Sequence, residues 1–382
     1  MKKTFAILLA ACLLVGTLAG CAGTGAQSHE ASPTPTVTAP PAGAHDWAAA
    51  YAKHKTDEVV LTVNGSDVTW AEYFYWLFYN LNSMEAYLGP IADFSEVFAY
   101  GDGKQTTNEY FVSAARDYVV QYHAMEINSK AAGAKLTAED EKSLKELLAS
   151  DMVSTCGEDA TPEDFQAYLA SVYVTPEVYD YINVVSCLYK NCFDILYGAD
   201  GEKLADEDVS AFIDANSYMT ARHILVSTMD AEGAALDDAA KAEKLAVAQE
   251  IADKLAAEKD KTKQLALFNE LQTEYNEDPG TATYPEGYCF PTGKMDPAFE
   301  AGTAALAENE ISGIVESTMG YHIILRLPTT ADTVVQYYSA DEQYDLRYVA
   351  AMDAYNVLVG NWLTDAEVVW QPDFENFDLN TL

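Results

Sequence analysis

Two histidines lie inside apolar runs that read as buried strands: His223 in ARHILVS, Ala221–Ser227, and His322 in GYHIILRL. A strand tolerates an imidazole among aliphatic side chains only where its ring nitrogens find partners. The two stand about a hundred residues apart, so they can meet on neighbouring strands. Between them Met295 and Phe299 have helical i,i+4 spacing in GKMDPAFE, near a Gly/Pro-rich loop, and so share one helix face. Imidazoles can donate, accept or carry a proton near neutral pH. Each residue also has a plainer reading. The histidines can be a structural pair holding a sheet, and Met295 and Phe299 ordinary core contacts. Asp278, directly before Pro279, can simply start a turn. Cys156, Cys187, Cys192 and Cys289 have no metal-ligand spacing and are expected to be mostly buried free thiols. Neither a metal nor any other cofactor is expected.

The elements that must position these residues are legible from pattern. Ala221–Ser227 is a strand, Asp237–Glu258 and Thr262–Tyr275 are helices, Tyr288–Phe290 is a short strand and Asp296–Ala305 a helix. Ile314–Glu316 and Tyr321–Leu327 complete a sheet across the turn Ser317–Gly320. The order β-αα-β-α-ββ over about 110 residues suits one α/β domain, 216–328. Upstream, Val59–Val63 reads as a strand, Asn64-Gly65 as a turn, and the chain turns helical after Thr69, with capping-box spacing to Glu72. Further helices are expected over Asn108–Ala132, from Thr137, over Glu163–Val172, over Glu177–Leu196 and over Asp206–Ala215. After the sheet, Asp341–Leu363 reads as a helix and Ala366–Trp370 as a strand. These last fifty or so residues are too few to fold alone. They are expected to return to 57–215, with Val368 beside Val59–Val63, so that 329–382 completes a mainly helical domain.

ARHILV, YNEDPG, GKMDPAFE and GYHII, in this order, resemble the parvulin family of peptidyl-prolyl isomerases. The strand, VNG turn and long helix near residue 60 resemble the opening of SurA-like and PrsA-like export chaperones. The resemblance implies an α+β architecture, a parvulin-like domain inserted in a helical chaperone-like domain. It implies that His223 and His322 lie hydrogen-bonded on adjacent strands, with Asp278 as a third catalytic group. It further implies a substrate cup of Phe290, Met295 and Phe299, with Cys289 near it and Thr318, next to Ser317, beside the last histidine. The family rotates X–Pro bonds over a barrier of about 18–20 kcal/mol, gripping the proline and favouring a twisted amide. This chain departs from the family in one string: many bacterial parvulins read GGDLGWF where it has Pro285-Glu286-Gly287-Tyr288-Cys289-Phe290.

Lys2 and Lys3, the apolar run Phe5–Leu18 and Leu18-Ala19-Gly20-Cys21 resemble a bacterial lipoprotein signal, 1–20, which predicts lipid on Cys21. Ala22–Ala44 is rich in Ala, Gly, Ser, Thr and Pro, and 21–56 is expected to be a disordered tether. The formal charge of −38 disfavours nucleic acid and anionic lipid as partners. The reading is an extracytoplasmic, lipid-anchored foldase acting on unfolded or newly exported polypeptides. A catalytically inactive holdase with the same fold is the alternative. A solute-binding lipoprotein ranks far behind, for want of a two-lobed repeat of βα units.

Overall fold

Threonine hydroxyls open five of the helices in the computed structural model, which describes residues 46–100, 103–337 and 343–381. Thr69, Thr106, Thr137 and Thr161 each accept a hydrogen bond from the backbone N–H three residues on, and the last three form full capping boxes. They start α2 (Trp70–Leu88), α3 (Thr107–Ala131), α4 (Ala138–Cys156) and α5 (Pro162–Ser171), and Thr175, accepting from Val178 N–H at 3.3 Å, starts α6 (Pro176–Tyr197). Before them come α1 (Trp47–Tyr51), β1 (Val59–Val63) and β2 (Ser66–Thr69).

The box expected at Thr69 is half made. Glu72 gives its N–H to Thr69, but its buried carboxylate turns inward, 3.1 Å from His123 Nε2. His123 Nδ1 in turn meets Ser66 Oγ at 3.1 Å. The end of the expected tether is also ordered. Asp46 caps α1, and Trp47 packs edge-on against Phe74 and Phe78, because an indole this size stabilises strongly when buried. Cys21 and the expected signal lie outside the described residues.

The second stretch runs through α7 (Asp206–Ala215), β3 (Met219–Ser227), α8 (Asp238–Ala257), α9 (Lys261–Tyr275), β4 (Tyr288–Phe290) and α10 (Pro297–Ala304). Then come β5 (Ile311–Glu316), β6 (Gly320–Leu327), β7 (Val334–Tyr337), β8 (Gln343–Asp345), α11 (Leu346–Thr364) and β9 (Val368–Trp370). The main sheet is antiparallel in the order β4-β3-β6-β5. One face of it carries Ile224, Val226, Ile323 and Leu325 against Ala248, Ile251, Leu255, Phe268 and Leu271 of α8 and α9. The other face packs Met219, Ala221, Phe290 and Ile324 against Phe299 of α10. Period-two alternation puts His223 and His322 on this second face, since Ile224 and Ile323 take the first. β5 starts three residues before its expected first residue. The register shifts between Ile311 and Ile314, where Ser312 Oγ replaces a main-chain acceptor for Ile324 N–H at 2.8 Å.

The long C-terminal helix begins at Leu346, later than expected. Asp345 caps it through Tyr348 N–H, and Leu346 N and Arg347 N bond the carbonyls of Thr333 and Ala331. The residues just before it pair as β8 with β7, leaving no helical hydrogen bonds there; Asp341 itself lies outside the described residues. β9 pairs antiparallel with β1, Val368 opposite Val63, in a sheet ordered β2-β1-β9. Contacts divide the chain into two compact units. One holds the described residues up to Leu196 together with those from Tyr355; the other is Tyr197–Ala354. The class is α+β.

Candidate active site

Site chemistry begins on the one edge of β3 that is only partly covered. β4 pairs with Met219–Ala221 and then stops. Beyond it the loop after α9 continues the edge: Leu225 N–H donates to Asn276 Oδ1 at 2.8 Å, Glu277 N–H to Leu225 O at 2.9 Å, and Ser227 N–H to Glu277 Oε2 at 2.6 Å. Between these two stretches the carbonyl of His223 is taken by Gln272 Nε2 at 2.7 Å. The loop so stitched brings Asp278 to the histidine, Oδ2 lying 3.3 Å from His223 Nε2. That separation is in ion-pair range but lacks hydrogen-bond alignment.

The two histidines occupy diagonal positions, His223 opposite Ile324 and His322 opposite Leu225. Their ring centres are 5.1 Å apart at 81°, edge to face. Phe299 meets both, 5.2 Å from His223 and 5.3 Å from His322. The hydrogen bond expected between the histidines is absent: Nδ1 of each has no hydrogen-bond partner among the described residues. His322 Nε2 instead bonds Ser317 Oγ at 2.7 Å. Burial, reinforced by His223, pushes His322 down to about 4, so it is neutral at pH 7.

Burial alone would raise Asp278. The contact with His223, the Tyr288 hydroxyl at 2.6 Å and the Gly280 N–H at 3.0 Å outweigh it and hold the carboxyl well below the usual range. Tyr288 is pushed up, by burial first and then by Asp278. Its ring lies parallel to His223, centres 5.8 Å apart.

Phe290 and Phe299 are buried and 5.9 Å apart, and Met295 packs against the same cluster half-buried. Glu300 fixes Met295 by accepting from the N–H groups of Gly293, Lys294 and Met295 at 2.8–2.9 Å. Two expected neighbours lie elsewhere. Thr318 faces Asp296, donating its hydroxyl to Oδ2 at 2.9 Å, so that Ser317 is the residue beside His322. Cys289 stands between Tyr288 and Phe290 on a strand, which turns it to the opposite face, opposite Thr220. Burial pushes its thiol up to about 11, the wrong direction for a nucleophile. Sequence reasoning named Ser317 only as the neighbour of Thr318, and missed Tyr288 and Gly280 as site residues. The strand alternation that sets Tyr288 with Phe290 was the available signal for one of them. Among the described residues no group of three or more His, Cys, Asp or Glu could hold a metal.

Fold and site define a prolyl-isomerase domain of the parvulin type: residues 223–327 match the Rotamase family model, described as a PPIC-type PPIase domain. Through this domain the chain is similar to PrsA-like parvulins. It is 34% identical over 131 residues to the foldase protein PrsA of Halalkalibacterium halodurans, a match covering 33% of this chain and 32% of that protein. The chain thus matches about a third of the length of that curated relative. Among solved structures, PrsA of Bacillus cereus aligns over 75% of this chain and 96% of its own, at 19% identity and TM-score 0.28. PrsA of Bacillus subtilis aligns over 71% and 91%, at 18% identity and TM-score 0.25.

Proposed function

We propose that the chain is an extracytoplasmic foldase, anchored through lipid on Cys21, that isomerises X–Pro bonds in exported polypeptides. The observation carrying this reading is the histidine pair against Phe299, with Asp278 at His223. Proline would be gripped by Met295, Phe290 and Phe299. A planar amide places negative charge on oxygen and positive charge on nitrogen, and twisting removes both. An ionised carboxylate held in a poorly hydrated layer disfavours charge on the carbonyl oxygen, and therefore favours the twisted state over the planar one. Neutral His322, kept uncharged by burial, adds no opposing charge of its own to that field. The residues flanking the isomerase domain, about 57–215 and 329–382, would form the client-binding part.

A protease-free isomerisation assay on short X–Pro peptides tests the reading. Wild type is expected to accelerate exchange. Phe299→Ala is expected to reduce kcat/KM about tenfold or more, since an apolar side chain of this size contributes about 1.5–3 kcal/mol when buried. A holdase without turnover is the second reading. It is supported by an apolar cavity of about 270 Å³ between α4, α5 and α6, lined by Leu148, Met152, Phe165, Leu169 and Tyr179. Suppression of client aggregation by a folded protein that accelerates no peptide would select it.

A further inference from the structure

The YCF stretch departs from the usual parvulin string, and its tyrosine is built into the site. Tyr288 OH donates to Asp278 Oδ2 at 2.6 Å, the shortest of that carboxylate's contacts. The others are Gly280 N–H on Oδ1 at 3.0 Å, Thr281 Oγ1 on Oδ2 at 3.3 Å and His223 Nε2 at 3.3 Å. The same side chain lies parallel to the His223 ring at an interplanar angle of 5°. One residue therefore touches both the acid and the imidazole. Space for its hydroxyl comes from Gly280, where a Cβ would stand 2.0 Å from Tyr288 OH. Tyr284 backs the ring from another side, centres 5.0 Å apart. The ring also packs against the core cluster around Phe290, but the hydroxyl and its contact with Asp278 lie outside that apolar packing.

We propose that Tyr288 is a positioning residue of the isomerase site, its hydroxyl seated in the notch left by Gly280 and holding the Asp278 carboxylate toward His223. The inference rests on the isomerase reading for its kinetic consequence, though not for its structural one. Tyr288 is assigned no direct contact with the rotating X–Pro bond. It acts through Asp278, restricting the carboxylate to one rotamer and keeping it ionised under the substrate. Removing the hydroxyl leaves Asp278 on weaker contacts, so its protonation moves up in pH and its field is spread over several orientations.

Tyr288→Phe, which keeps the ring, is compared in the full chain with Asp278→Asn and with the double variant. Tyr288→Phe is expected to lower kcat about tenfold with little change in KM. The acid limb of its kcat/KM profile should move to higher pH, and the hydroxyl loss should have no further effect on the Asp278→Asn background. Gly280→Ala should reproduce the pH shift, because the added methyl expels the hydroxyl. Carboxyl-carbon NMR of Asp278 gives a readout that needs no turnover. In wild type this carboxyl stays ionised through the acid range in which the fold persists; in Tyr288→Phe its titration should enter that range. An unmoved NMR titration overturns the proposal even if the wild type is inactive. A wild type that accelerates no peptide, with the titration shifted, overturns the isomerase reading alone and leaves the positioning role standing. Additive losses in the double variant would also overturn the proposal.

Discussion

Asp278 and His322 are both held in one charge state, and by opposite means. Hydrogen bonds keep the first ionised, and burial keeps the second neutral. Both set a direction for acid stability. The unfolded chain takes up a proton on His322 near pH 6.5, while the folded imidazole resists it down to about 4. Stability present above that window is lost as pH falls through it. Asp278 adds a second loss below its unfolded value of 3.8, since the folded carboxyl protonates later. Urea midpoints of wild type should therefore fall from pH 6.5 toward 4, and those of His322→Gln should fall less steeply over the same range. A parallel pair of curves would show that the imidazole is not the proton acceptor. At this scale the sequence was partly legible. His223, His322, Asp278, Met295 and Phe299 are brought together because their strings fix both residue and element. Cys289 and Thr318 were one position off, because along a strand or a tight turn a single step reverses the side chain. Tyr288 and Gly280 were hidden because their contact joins a strand to a loop eight residues upstream.

Most elements could be placed from caps and periodicity, since threonine caps, N1 prolines and Ala-rich amphipathic stretches act locally. The exceptions depend on distant partners. β7 and β8 form because they pair with one another, and α11 starts late because carbonyls at 331 and 333 satisfy its first N–H groups. β9 is the element with the clearest energetic role. It covers β1, and just past it Phe374 and Leu379 are 1% exposed. Phe374 packs against Trp70 and His54. Burying two such side chains contributes about 3–6 kcal/mol, so removal of residues 366–382 should substantially lower the unfolding midpoint of the helical unit. All five tryptophans, Trp47, Trp70, Trp76, Trp362 and Trp370, belong to that unit, so tryptophan fluorescence reports on it selectively. An unchanged midpoint in the truncated chain would deny β9 a stabilising role.

For the whole molecule, the proposed anchor is the feature most open to test. Cys21→Ala should release the protein from membranes or block its maturation, checked by fractionation and by the mass of the mature N-terminus. Unchanged membrane retention and processing would refute the anchor. Among the described residues no helix is long and apolar enough to cross a membrane. The pairing of β9 with β1 has a consequence in time. Glu367 N–H bonds Asn64 Oδ1 across 303 residues of chain. Ribosomes make the amino-terminal part first, and domains tend to fold as they emerge. The β4-β3-β6-β5 sheet has all its strands once Leu327 is out, whereas the β2-β1-β9 sheet must wait for Trp370. During that delay β1 has an open edge, and the catalytic part can mature before the framework it interrupts. An interrupted synthesis would thus leave one sheet with all its strands and the other still missing β9.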